Sequence, residues 1–239
     1  MKNTEKVEWR LLKPYIISGS ILGFGWLTLF YGYKHTSISS TVILYNMCPV
    51  YVMIAAPLLL KEAISKIQIA VVFFSFLGLV LIVGQNLSEG YGYLGMALSA
   101  VSGMLYATII LINRSIKSRV DNQTGTFVQI SAAMIVLLPF VLAEGDISTI
   151  RDLDAAAVIY TILLGVLHTG IVYTIFFSLT TQMRSVEIVL YSYLEPLFGI
   201  LFSVIFIGEK LTVLQIIGGT LILGSTFIGE ILKNKKKPA

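Results

Sequence analysis

The chain has 239 residues, of which 56% are hydrophobic and 13% are charged, and its mean hydropathy is +0.86. Soluble domains carry about 25% charged residues, so this chain lacks the polar side chains that a water-facing surface needs. The single cysteine, Cys48, excludes an intramolecular disulfide and a cysteine-rich metal site. The composition therefore indicates a membrane protein.

Eight apolar runs follow one another along the chain. A helix needs roughly 20 residues to cross a hydrocarbon core of about 30 Å, and each run has about this length. The runs are continuous rather than alternating, which favours helices over the strands of a membrane barrel. The first run is too long for a signal-peptide core and lacks a small-residue cleavage site, so we expect it to be retained. We predict an all-α polytopic membrane protein with eight transmembrane helices at residues 15–33, 41–60, 67–84, 93–112, 126–143, 157–178, 186–207 and 212–231.

The basic residues predict the orientation of these helices, because Lys and Arg concentrate in cytoplasmic loops. If both termini are cytoplasmic, only Lys34, Arg151 and Lys210 of the 17 Lys and Arg residues fall in outer segments. The acidic loop around residues 144–154 then lies outside. The basic C-terminal tail is a topology signal near anionic lipid headgroups, and a nucleic-acid partner is not expected.

Two segments of the chain resemble each other at a fixed offset of 147 residues. Residues 39–70 align with residues 186–217, and the helices before them also match. The identities keep their spacing without a gap: Pro49 with Pro196, Glu62 with Glu209, Gln68 with Gln215, Gly23 with Gly170 and Phe30 with Phe177.

Five predicted helices lie between equivalent positions of the two copies. Because this number is odd, the two copies have opposite orientations in the membrane. Inverted repeats are a recurrent architecture of secondary transporters, although they also occur in membrane proteins that transport nothing. The natural unit is five plus five helices, whereas this chain has three (residues 1–86) plus five (residues 87–239). The counterparts of helices 93–112 and 126–143 would precede Met1, so we expect an N-terminally shortened protein or a partner that supplies two helices.

Three segments resemble one family of membrane proteins. The segment YLEPLFGILFSVIFIGEKLTVLQIIGGTLILGS at 193–225 resembles the signature motif of that family. The first copy, NMCPVYVMIAAPLLLKEAISKIQ at 46–68, is similar but carries Lys61 where glycine is usual. The segment GYLGMALSAVSGMLYATIILINR at 92–114 resembles the helix that opens the second half of members of that family. The sequence thus resembles the EamA family of the drug/metabolite transporter superfamily, without that family's first two helices.

The resemblance implies ten helices around a central cavity, both termini in the cytoplasm, and export of amino acids, metabolites or toxic compounds across the cell membrane. It implies no ATP site or other cofactor, and the sequence contains no Walker-type loop. An intramembrane enzyme is not expected, since no HExxH motif, paired aspartates or Ser-His constellation occurs at membrane depth.

Two ionisable residues, Glu195 and His168, are predicted near the middle of membrane spans, where charge is costly. Glu195 precedes Pro196 halfway along its predicted helix and is a candidate proton carrier, or alternatively a structural acid at a kink. Its counterpart in the first copy is Cys48. His168 is a candidate partner of Glu195 or of substrate, or a histidine bonded to a neighbouring helix.

Other residues are candidates for binding an organic substrate or for bending the helices. Pro49 and Pro196 free the carbonyls of Tyr45 and Ser192, so they are hinge candidates or simple bends. Aromatic and amide side chains at membrane depth either bind substrate by stacking and hydrogen bonding or serve only in packing: Tyr45, Asn46, Trp26, Tyr106, Tyr173, Tyr191 and Tyr193.

The leading hypothesis is a secondary transporter that exports small metabolites by alternating access. The alternative is a non-transporting remnant, or a subunit that needs a partner for the two missing helices. The expected partners are a small-molecule substrate, the lipid bilayer, and either a second copy in a homodimer or a two-helix polypeptide.

Overall fold

The computed structural model describes residues 9–84, 92–116, 120–144, 154–208 and 212–234. Within these ranges the chain is helical and contains no strand, which confirms the predicted all-helical fold class. Glu209, Lys210 and residues 145–153 of the predicted acidic loop lie outside the described residues.

Helices lie in each of the eight segments predicted from hydropathy. They are α1 Trp9–His35, α2 Ile38–Tyr45, α3 Cys48–Leu60, α4 Lys66–Val83, α5 Tyr93–Ser115, α6 Asn122–Glu144, α7 Ala155–Leu163, a π-helix Leu164–Val172, α8 Tyr173–Gln182, α9 Ser185–Ser192, α10 Leu194–Phe202, a π-helix Ser203–Ile207 and α11 Val213–Asn234.

Several of these segments have the length and composition of membrane spans. Among the described residues, five are long and apolar enough to cross a membrane: Trp9–His35, Ser40–Leu60, Tyr93–Ser115, Asn122–Glu144 and Ala155–Gln182. Lys66–Ile82 and Val213–Gly229 are shorter apolar helices. The protein is therefore a multi-pass membrane protein, and the count of eight spans stays a prediction.

Two predicted spans each consist of two α-helices joined by a short turn. Asn46 and Met47 separate α2 from α3, and Tyr193 separates α9 from α10. Pro49 lies in the first turn of α3, and Pro196 is the third residue of α10. A residue in the first turn of a helix needs no backbone donor, so proline is tolerated there. The hinge role of both prolines stays a prediction, but each lies at the start of a new helix.

The chain forms two compact units. The first comprises the described residues of Met1–Leu27 and Thr108–Met183. Its core contains Leu22, Ile109, Ala133 and Phe177. Gly19 of α1 lies directly against the backbone of Gln129 in α6, and a Cβ on Gly23 would lie 2.8 Å from the Ala133 carbonyl oxygen. Side chains larger than hydrogen would separate these two helices, as expected for a Gly-xxx-Gly contact.

The second unit comprises the described residues of Thr28–Ala107 and Arg184–Ala239. Its core contains Leu79, Ile82, Tyr193 and Ile222. Helices α4 and α11 pack closely, and the Ser75 and Ser225 hydroxyls form a 2.9 Å hydrogen bond between them.

Candidate functional site

Three of the predicted site residues meet in the first unit. The Trp26 and Tyr173 rings pack edge to face with centroids 5.7 Å apart, and the His168 ring lies 6.1 Å from Tyr173. His168 belongs to the π-helical segment Leu164–Val172 and is exposed. A π-helical turn often marks a functional site. The cluster offers aromatic faces and an imidazole that can donate or accept a hydrogen bond.

Three others meet in the second unit, beside the break between α2 and α3. The half-buried Tyr45 and Tyr106 rings stack with centroids 5.5 Å apart. The Asn46 amide donates to the Val42 carbonyl at 2.9 Å, so it serves the end of α2. Pro49 cannot donate to the Tyr45 carbonyl, and Gly103 of α5 approaches this oxygen so closely that a Cβ would lie 2.7 Å away. Polar backbone and two tyrosines therefore lie together at this break.

Glu195 lies in the first turn of α10, immediately after the break at Tyr193. The sequence alone predicted it halfway along a continuous helix. Its side chain is exposed, and it interacts electrostatically with Tyr33 of the same unit. The positive end of a helix dipole favours an anionic side chain in the first turn. The structure thus gives the carboxyl an accessible position, as a proton carrier requires, and the role stays a prediction.

The remaining two tyrosines have different surroundings. Tyr193 is fully buried in the core of the second unit, and its hydroxyl has no hydrogen-bond partner among the described residues. Tyr191 is 40% exposed and lines a cavity of about 420 Å³. The two residues therefore do not share one site, although they are separated by a single residue.

The first unit contains a buried network of neutral side chains that was not predicted from the sequence. The Ser18 hydroxyl donates to Asn113 Oδ1 at 2.9 Å, and Gln129 Nε2 donates to the same oxygen at 3.2 Å. All three side chains are almost completely buried. Their signal in the sequence was an amide inside or directly after an apolar run, Gln129 within 126–143 and Asn113 next to 93–112. The network links α1, α5 and α6.

A second polar junction joins α9 to the loop after α3. The Ser185 amide donates to both carboxylate oxygens of Glu62, at 3.2 and 3.4 Å. The Arg184 guanidinium donates to the Ala63 carbonyl. Glu62 therefore caps the first turn of α9, since Arg184 makes no side-chain capping bond.

The candidate site residues are not arranged as a cluster of metal ligands in the part of the chain that the structure describes. No three His, Cys, Asp or Glu side chains lie together there in a way that would hold a metal ion. The polar groups brought together at membrane depth are instead aromatic rings, amides, an imidazole and a carboxyl. Such side chains can bind organic molecules by stacking and hydrogen bonding, and the fold is that of a multi-pass membrane protein.

Comparison with known families identifies the protein as a membrane transporter. The EamA-like transporter family matches residues 1–84 and 92–229, and the chain belongs to this family. Members of this family are transporters and not enzymes. The family assignment agrees with the motifs at 46–68, 92–114 and 193–225.

Individual relatives agree with the family assignment. An uncharacterized transporter, YxxF, of Bacillus subtilis (strain 168) is 28% identical over 236 residues, which are 98% of this chain and 74% of that protein. A probable amino-acid metabolite efflux pump of Escherichia coli (strain K12) is 22% identical over 231 residues, with coverage of 93% and 77%. One crystal structure shares the fold with a TM-score of 0.81 and 16% identity over 95% of this chain and 80% of the other.

Proposed function

We propose that this protein is a secondary transporter that exports small metabolites, such as amino acids or amphipathic compounds, by alternating access. It lies in the cell membrane with both termini in the cytoplasm, as the distribution of basic residues favours. The observation that carries the proposal is the recurrence of helix boundaries at the offset of the internal repeat. Inverted repeats of this kind let one path open to either side of the membrane.

Helix boundaries recur 147 residues apart. Helix α2 spans Ile38–Tyr45 and α9 spans Ser185–Ser192, so both ends obey this offset. Helices α4 and α11 begin at Lys66 and Val213, again 147 residues apart. The shared boundaries support two copies of one backbone design.

Details at the helix ends repeat as well. Ser65 and Gln68 form reciprocal hydrogen bonds at the start of α4, and Thr212 and Gln215 form the same pair at the start of α11. Lys61 has a φ of 56° and Gly208 a φ of 74°, and these residues also lie 147 positions apart. Reciprocal caps and left-handed helix ends depend on local sequence, so their recurrence supports a duplicated unit.

We infer the substrate class from the side chains brought together at the break between α2 and α3 and at the π-helical segment Leu164–Val172. Trp26, His168 and Tyr173 form one group, and Tyr45 and Tyr106 form another. Aromatic faces with a few polar groups suit an organic molecule that has both apolar and hydrogen-bonding parts. The name of the Escherichia coli relative, an amino-acid metabolite efflux pump, points in the same direction. In this proposal Glu195 carries the coupled proton.

One observation favours the alternative in which two further helices are needed. Helix α1 packs on α6 through Gly19 and Gly23. The counterpart of α1 at the repeat offset is the segment Ala155–Gln182, and no residue along its most apolar 18 positions is buried. His168 lies on this exposed segment, where contact with lipid is costly for an imidazole. A partner polypeptide or a second copy of the chain would cover it, and without such a partner the chain would be a non-transporting remnant.

The test is counterflow in proteoliposomes that contain the purified 239-residue chain, with labelled amino acids or amphipathic amines under an imposed pH gradient. We expect saturable uptake that is lost in Glu195→Gln. Glu144→Gln, an exposed acid at the end of α6, is the matched control and should transport normally. Uptake that is equal in the wild type and Glu195→Gln would refute the role of Glu195.

A second arm separates the two readings. If the folded chain shows no uptake, the measurement is repeated after co-reconstitution with a two-helix polypeptide built on residues 93–144, whose α6 covers α1 in this structure. Uptake restored by this addition would establish that transport requires partner helices. No uptake in either arm, from protein whose Trp26 fluorescence shows native packing, would refute transport by this chain.

A further inference from the structure

A cavity of about 420 Å³ lies in the second unit, and none of its described lining residues belongs to the aromatic groups described above. Its apolar wall includes Ile67, Val71 and Leu190, and its polar side chains include Gln68 and Arg184. Small-molecule sites typically have volumes of about 300–1,000 Å³ and combine apolar walls with a few polar groups. The cavity therefore has the size and composition of a ligand site.

Arg184 is the only cationic side chain among the described residues that line the cavity. Its guanidinium has five N–H donors, of which one bond is made to the Ala63 carbonyl. Glu187 also lines the cavity, but it already interacts with another group, so we assign it no contact with a ligand. A guanidinium binds a carboxylate through two parallel hydrogen bonds. The cavity thus has donors for one carboxylate and a positive charge to balance it.

Gln68 offers a second donor to the same cavity. Its side chain is only 9% exposed, and its Oε1 accepts from the Ser65 amide at 2.9 Å within the capping box of α4. This bond fixes which end of the amide is the oxygen. The NH2 group at the other end has no hydrogen-bond partner among the described residues. A donor without a partner on a nearly buried side chain is costly, and a ligand oxygen in the cavity would supply the missing bond.

The repeat shows that the start of α9 does not itself require an arginine. The position 147 residues before Arg184 is Ser37, whose hydroxyl accepts from the Ser40 amide and caps α2. Arg184 makes no such cap, and the positive end of a helix dipole disfavours a cation there. Gln215 is the equivalent of Gln68 and makes the same capping bond at the start of α11, but it is not among the residues that line the cavity. Arginine and glutamine therefore meet in only one copy.

The geometry points to a binding site for an organic monocarboxylate with an apolar body. The carboxylate is bound by Arg184 and Gln68, and the apolar body by Ile67, Val71 and Leu190. A neutral amide of the same shape lacks the charge that Arg184 balances, and an amine would place a second cation beside it. A phosphate monoester carries nearly two negative charges at neutral pH, one more than a single arginine balances. The inference concerns binding alone, so its test is separate from the counterflow measurement.

The experiment measures binding of 4-phenylbutanoate to the full chain in lipid nanodiscs by isothermal titration calorimetry. Heats from empty nanodiscs are subtracted to remove partitioning into lipid. Two molecules of nearly the same shape, 4-phenylbutanamide and 4-phenylbutylamine, change only the charge. In the wild type we expect the carboxylate to bind about tenfold more tightly than the amide, because hydrogen bonds to a charged group are stronger. The amine should show no saturable binding.

Two substitutions in the cavity test the two donors. Arg184→Gln should weaken the carboxylate about tenfold and leave it no tighter than the amide, because the positive charge is lost. Gln68→Glu keeps an oxygen for the Ser65 amide but replaces the NH2 donor with an acceptor, so it should weaken the carboxylate severalfold. Gln215→Glu makes the same change in the equivalent cap of α11 and should bind like the wild type. Arg10→Gln removes an exposed arginine that does not line the cavity and should also bind like the wild type.

Two further measurements keep the result unambiguous. Arg184→Gln also removes the bond to Ala63, so Ile67→Phe, which narrows the cavity and leaves that bond in place, should weaken the carboxylate and the amide alike. Cys48 is the sole cysteine and is buried, so its slow reaction with a thiol-reactive dye verifies folding of each variant.

Three results would overturn the proposal. The first is equal affinity of the wild type for the carboxylate and the amide. The second is an unchanged preference for the carboxylate in both Arg184→Gln and Gln68→Glu. The third is tighter binding of 2-amino-4-phenylbutanoate than of 4-phenylbutanoate, which would assign the cavity to zwitterionic amino acids instead.

Discussion

The buried network of Ser18, Asn113 and Gln129 allows a sharp test of how polar side chains stabilise the first unit. Replacing Asn113 with leucine removes one oxygen that accepts two hydrogen bonds, at 2.9 Å from Ser18 and 3.2 Å from Gln129. The Ser18 hydroxyl can turn to a carbonyl of its own helix. The Gln129 side chain is 1% exposed and loses its Asn113 partner.

The expected cost follows from these two losses. Side-chain hydrogen bonds between membrane helices contribute about 0.6 kcal/mol each on average, and an unsatisfied buried group costs about 1–3 kcal/mol. Asn113→Leu should therefore destabilise the first unit by about 2–4 kcal/mol. The double variant Asn113→Leu/Gln129→Leu removes both partners, so it should cost only about 1 kcal/mol and be more stable than Asn113→Leu alone.

The assay is unfolding by sodium dodecyl sulfate titration in detergent micelles, followed by tryptophan fluorescence. The chain has two tryptophans, so a Trp9→Phe background leaves Trp26, which packs on Tyr173 inside the first unit. Asn122→Leu is the matched control, because Asn122 makes an exposed bond to Ser178 and its loss should cost under about 0.5 kcal/mol. A double variant whose cost equals the sum of the two single costs would refute the reasoning.

Three further substitutions test the helix contacts and helix ends. Gly23→Leu should destabilise the first unit by about 1–3 kcal/mol, because the new side chain overlaps α6. The change is measured as a shift of the unfolding midpoint followed by Trp26 fluorescence, and an unchanged midpoint would contradict the close contact. Glu62→Ala should lower the stability of the second unit by about 1 kcal/mol, and Glu62→Gln should lower it less, since glutamine can still accept from the Ser185 amide. Both losses are measured as faster labelling of Cys48 on heating. Equal losses in the two variants would argue that Glu62 does not cap α9. Lys61→Gly should stabilise by up to about 1 kcal/mol, because glycine adopts a positive φ without strain, and slower Cys48 labelling would show it.

Hydropathy was sufficient to locate the helices, but the local chemistry of proline decided their interruptions. The spans at 41–60 and 186–207 were predicted as continuous helices bent at Pro49 and Pro196. In the structure a turn of one or two residues with near-helical dihedral angles precedes the helix that contains each proline. Because an apolar run has the same hydropathy whether it is bent or broken, this distinction could not be read from the sequence. Glu195 consequently lies at the start of a helix instead of at its middle.

The candidate site was harder to predict than the fold, because aromatic residues at membrane depth serve both packing and binding. The sequence treated Tyr191 and Tyr193 alike. The structure buries Tyr193 fully and exposes Tyr191 in a cavity, and the difference arises from the direction each side chain takes at the break after Ser192. The Asn113 and Gln129 amides were overlooked because they carry no charge. Only their burial together makes them conspicuous.

Positions separated by 147 residues share backbone geometry and differ in chemistry. Lys61 and Gly208 both have positive φ, and Ser65 and Thr212 form the same cap. At the breaks, however, Cys48 occupies the position equivalent to Glu195. In the proposed transporter, a carboxyl in only one copy gives the states open to the two sides different protonation energies, which a duplicated backbone alone would not do. The pair Cys48 and Glu195 is therefore the position at which the proposed site departs most clearly from the internal repeat.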